Sequence, residues 1–78
     1  MPYNINDLGE KLLVDKLNLN PKFAKAVTEE RKKNEWFEDR DDFKDRMKLY
    51  YLTKGKQEEL NLGLKEINTL LVANKIIF

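Results

Sequence analysis

Three short breaks divide the chain: Asn18-Leu19-Asn20-Pro21, Glu35-Trp36-Phe37 and Thr53-Lys54-Gly55-Lys56. The segments between them carry helix signals. Asn6 is a good N-cap residue, and Asp7 and Glu10 suit the positive end of a helix. Leu8, Leu12, Leu13 and Leu17 then fall on one helical stripe, which predicts a first helix over about residues 7–17. Gly9 lies inside that run and weakens it by about 1 kcal/mol relative to Ala. Asn18 tolerates the left-handed conformation that ends a helix. Asn20 followed by Pro21 has the form of an N-cap and a first helical residue. A second helix is therefore expected over about 21–34, burying Phe23, Ala24 and Val27, with Arg31, Lys32 and Lys33 near its negative end.

Asp39 and Asp42 are spaced like a capping box. They predict a third helix over about 40–51 that buries Phe43, Met47 and Tyr50. Leu60, Leu64, Ile67 and Leu71 repeat at four, three and four residues, a helical stripe in which Gly63 is a candidate kink. The tail from Val72 to Phe78 is apolar for a C-terminus. Three placements are open to it: docking on the body, pairing as a short strand, or contacting a partner. The expected fold class is all-α, with four to five short helices in a single domain spanning residues 1–78.

Composition removes several kinds of chemistry. The chain has no Cys and no His. Thiolate chemistry, imidazole general-base catalysis and a Ser-His-Asp arrangement are thereby excluded, and a zinc site would need carboxylates alone. Asp39, Asp41, Asp42 and Asp45 lack the alternating ligands, central Gly and closing Glu of a calcium loop. They are the acids of a helix start. No metal, no cofactor and no enzymatic activity are expected. No stretch approaches the ~20 apolar residues of a membrane span. The first residues have no basic and apolar leader pattern, so no membrane association and a cytoplasmic address are expected. The net charge is +1, so any basic face is local. Residues 21–37 are its best location, with five cations against three carboxylates.

Residues 3–43 resemble, without a gap, the helix-hairpin-helix domain of competence-type DNA-uptake proteins. The match runs through Tyr3-Asn4-Ile5-Asn6 and Leu13 to the hairpin Asn18-Leu19-Asn20-Pro21. It continues through Ala24, Ala26, Val27, Arg31, Asn34, Phe37, Asp39, Asp42 and Phe43. Asn18 and Asn20 stand where that family has hairpin glycines. A second hairpin is expected at Tyr51-Leu52-Thr53-Lys54-Gly55, in degenerate form. The resemblance implies a module in which hairpin N–H groups at a helix start hold a phosphate oxygen, independent of base sequence.

The candidate nucleic-acid-binding residues are Asn18, Leu19, Asn20, Lys22 and Lys25, joined by Lys54, Gly55 and Lys56 from the second hairpin. Leu19 would anchor the hairpin in the core, and the lysines would add charge. Against this stands a plainer reading, of a simple helix connection and solvated lysines. Phe37 is expected in the core, whereas the exposure of Trp36 is open. The first functional expectation is a non-catalytic module that binds duplex DNA backbone. The alternative is a protein-interaction module that keeps the fold without DNA, with a partner surface including Trp36, Tyr51 and Phe78. A monomer or weak homo-oligomer fits either.

Overall fold

A computed structural model describes residues 2–78. Its order is β1 (Tyr3–Asn4), α1 (Glu10–Leu17), α2 (Pro21–Asn34), α3 (Arg40–Leu52), α4 (Gln57–Val72) and β2 (Ile76–Ile77). The fold is all-α, with four helices among the described residues. The two short strands pair in parallel, Tyr3 opposite Ile76 and Asn4 opposite Ile77. Of the three placements open to the tail, it takes the strand. The Tyr3 N–H donates to the Lys75 carbonyl at 2.9 Å and the Ile5 N–H to the Ile77 carbonyl at 3.0 Å. This pairing closes both ends of the chain over the helices and buries Ile5 and Ile76.

Helices α2 and α3 start where their local signals place them. The Asn20 side chain caps α2, and Asp39 caps α3 by accepting from the Asp42 N–H at 2.8 Å. The first helix differs from expectation. It begins at Glu10, with Gly9 as an extended N-cap residue. Asn6 caps nothing there. Its side-chain amide instead grips the backbone of Phe37, accepting from the N–H at 2.6 Å and donating to the carbonyl at 2.9 Å. That tertiary match, together with the burial of Ile5 and Leu8, holds residues 5–8 outside the helix.

The core is aromatic. Phe23 is fully buried, stacked on Tyr51 at 6.3 Å and edge-on to Phe43 at 6.2 Å. Phe37 and Phe78 close on Phe43 at 4.7 and 5.3 Å. Two further expectations are corrected. Tyr51 is buried in place of Tyr50, because α4 folds back over the end of α3 and Tyr51 faces both Phe23 and α4. Tyr50 is half-buried and faces α2 through Glu29. Gly63 does not interrupt α4, which is continuous from Gln57 to Val72. Instead it is the point where α4 meets the Phe23 ring.

Candidate nucleic-acid interface

The α1–α2 connection is a tightly bonded turn. Asn18 ends α1 in the left-handed conformation, with φ 56° and ψ 32°. Its N–H donates to the Val14 carbonyl at 3.0 Å, and the Leu19 N–H reaches back to Leu13 at 3.3 Å. Leu19 is buried, the usual apolar contact of such a helix end. Asn20 then caps α2. Its Oδ1 accepts from the Lys22 N–H at 2.8 Å and from the Phe23 N–H at 3.4 Å. Pro21 has no N–H, and the Ala24 N–H is bonded to the Asn20 carbonyl. The first-turn donors of α2 are therefore satisfied within the protein, two of them by the Asn20 side chain.

The α3–α4 connection is different. Thr53 keeps a right-handed conformation with φ −97°, and the positive φ of 69° falls on Gly55. Lys56 precedes α4 and makes no side-chain cap, so α4 begins with its first amides uncapped from within.

The two connections meet at one surface. Lys22 and Lys25 from the start of α2, and Lys54 and Lys56 from the α3–α4 connection, line a single open concavity of about 340 Å³. Glu29, Glu59, Tyr50 and Tyr51 complete its floor. Among the described residues, no ion pair engages any of these four lysines. The two carboxylates are held by phenols instead: the Tyr50 hydroxyl donates to Glu29 and the Tyr51 hydroxyl to Glu59. Burial and the Glu29 contact push the Tyr50 phenol up to about 12, and burial and Glu59 push Tyr51 higher still, so both remain donors. The Lys54 ammonium lies 4.7 Å from the centre of the Tyr50 ring, a cation–π distance.

The eight candidate residues lie in or just after the two connections. Four lysines share the concavity, Leu19 anchors the turn, and Gly55 supplies the positive φ. Asn18 and Asn20 shape the first turn, with Asn20 blocking its amides. The expected partner surface of Trp36, Tyr51 and Phe78 does not form as one patch. Tyr51 is 1% exposed, with its ring inside the core. Phe78 is half-buried against Phe43. Trp36 alone stands out, 68% exposed.

The connection that carries Trp36 is held chiefly by Arg46, a residue with no role expected from the sequence. All five N–H donors of Arg46 are used. They reach Glu30 and Asp42 and the carbonyls of Asn34, Glu35 and Trp36, at 2.7–3.1 Å. Its guanidinium also covers the Phe37 ring at 4.3 Å. The Glu38 N–H and Arg46 both bond the Asp42 carboxyl and hold it below its ordinary range. Glu35 adopts φ 67° and ψ −168°, a region open almost only to Gly, at a strain of about 1–3 kcal/mol. Leu49 is equally exposed at 68% and lies in the same concavity as Trp36. Its position off the Phe43–Met47–Tyr51 stripe is the signal that marks it.

Comparison with known proteins found no matching family model, no matching curated protein and no matching solved structure. No helix among the described residues is long and apolar enough to cross a membrane.

Proposed function

We propose that this chain is a non-catalytic module that holds the phosphate backbone of duplex DNA without reading base sequence. It is built on a helix-hairpin-helix plan with an altered second copy. The observation that carries this reading is the convergence of Lys22 and Lys25, from the start of α2, with Lys54 and Lys56, from the α3–α4 connection, on one concavity. Contact runs through these ammonium groups, since Asn20 occupies the α2 amides. Lys54 and Lys56 lie immediately before the uncapped start of α4. Backbone phosphates are the ligand that four free cations in a shallow, open site suit, because they form an extended array of like charge.

The test is binding of a short DNA duplex followed by amide chemical shifts and by fluorescence anisotropy across a salt series. Shifts are expected at residues 22–25 and 53–58. Each phosphate neutralised contributes about −0.9 to the slope of log K against log salt. Lys22→Ala/Lys25→Ala is expected to flatten that slope by about 2 and weaken binding to every duplex alike. An unchanged affinity in that double variant rejects the assignment.

A further inference from the structure

Side chains fasten six backbone polar groups between Asn34 and Glu38. Arg46 holds three successive carbonyls, Asn6 holds both groups of Phe37, and Asp42 holds the Glu38 N–H. The side chain this framework presents outward is Trp36. The backbone that carries this exposed Trp is ordered before binding, which spares that part of the cost, and Trp is among the residues enriched at interface hot spots.

Its surroundings select the occupant. Trp36 forms the ridge between two concavities, of about 540 and 430 Å³. Glu35, Glu38 and Leu49 line the first, and Asp7, Glu38 and Phe78 line the second. Arg46 is the only cation lining either one among the described residues, and its charge is matched internally by Glu30 and Asp42. Glu35, Glu38 and Asp7 are all exposed and make no ion pair among the described residues. The site is thus aromatic and apolar at its centre and negative at its rim.

We propose that the Trp36 ridge docks a cationic, leucine-bearing segment of a partner protein. An arginine of that segment lies on the indole face between the rim carboxylates, and an apolar side chain rests against Leu49. This site is separate from the lysine concavity, shares no lining residue with it, and does not rest on the nucleic-acid reading. Its charge repels DNA, so occupation of one site leaves the other open.

Trp36 is the single Trp of the chain, so its emission reports the site directly. The probe is a short synthetic peptide of Arg and Leu at helical spacing, set against its twin with Glu in place of Arg and against a short DNA duplex. A saturable blue shift with the Arg/Leu peptide is expected, weakened about fivefold in Glu35→Gln/Glu38→Gln. It should be unaltered in Glu10→Gln/Asp15→Asn, which removes comparable charge from α1, and in Lys22→Ala/Lys25→Ala. No saturable change, an equal response to the Glu twin, or equal loss in the two charge-removal variants overturns the proposal. A blue shift produced by the duplex would assign the ridge to nucleic acid and overturn it as well.

Discussion

Gly63 lies so close to Phe23 that a Cβ at that position would fall 2.2 Å from the ring's Cδ1. Phe23 cannot yield, being fully buried between Tyr51 and Phe43. In an exposed helix Gly→Ala is worth about 1 kcal/mol of stability. Here the clash reverses the sign. Gly63→Ala is expected to lose about 2 kcal/mol net, an overpacking cost. In a domain of this size that lowers Tm by roughly 10 °C, readable in a thermal melt. An unchanged or raised Tm would show that α4 can withdraw from α2 without loss.

The same glycine shows what the sequence discloses and what it withholds. Asn20-Pro21 and Asp39 act through atoms within three residues of themselves, so the start of α2 and the start of α3 were legible. Leu19, expected as the anchor of the hairpin, and Phe37, expected in the core from its place in the resemblance, are both buried. Gly63 has its meaning only against a side chain 40 positions earlier in the chain. Asn6 likewise bonds a backbone 31 residues away, which is why its cap-like setting misled. At the candidate site the lysines were legible as charge. Their convergence depends on α4 returning beside α2. Arg46, set among acids on α3, gives no local sign that it fastens the neighbouring connection.

Arg46→Ala should be costly. It removes one partner from Glu30, which is 6% exposed, and strips the donors from three carbonyls. Breaking a buried pair costs about 3–5 kcal/mol, and partial exposure of this one argues for the lower end, about 3 kcal/mol. Arg46→Lys is expected to recover less than half of that, because an ammonium cannot serve both carboxylates and the carbonyl row together. Denaturant unfolding of the two variants checks both figures. Full recovery by Lys would reduce the role of Arg46 to charge alone.

The two phenols bonded to Glu29 and Glu59 predict an alkaline limit to stability. Tyr50 is held up to about 12 and Tyr51 above that, whereas an unfolded Tyr ionises near 10. The folded state therefore keeps protons that the unfolded state releases. Stability from these groups is fully present below about pH 10 and is lost as pH rises towards 12 and beyond. Tyr51→Phe should flatten that decline, since Phe has nothing to ionise. Unfolding free energies measured at stepped alkaline pH, compared between the two proteins, provide the check. Identical slopes would mean that Tyr51 loses its proton without unfolding the core.

Asn20 offers the sharpest test of how phosphate meets this protein. Its Oδ1 satisfies the Lys22 and Phe23 amides, the donors that a helix start would otherwise turn towards an anion. Asn20→Gly removes the side chain at a stability cost of only a few tenths of a kcal/mol. With those amides free beside Lys22 and Lys25, duplex affinity should rise by about tenfold, the worth of one charge-assisted hydrogen bond. The salt slope should stay the same, because no cation has been added. Asn20→Asp keeps the cap and places a negative charge at the same point, so it should weaken binding. Anisotropy titrations of both variants decide the matter. Opposite shifts would place phosphate at the start of α2, next to the lysines. Equal affinities would place the DNA contact at Lys54, Lys56 and the open start of α4 alone.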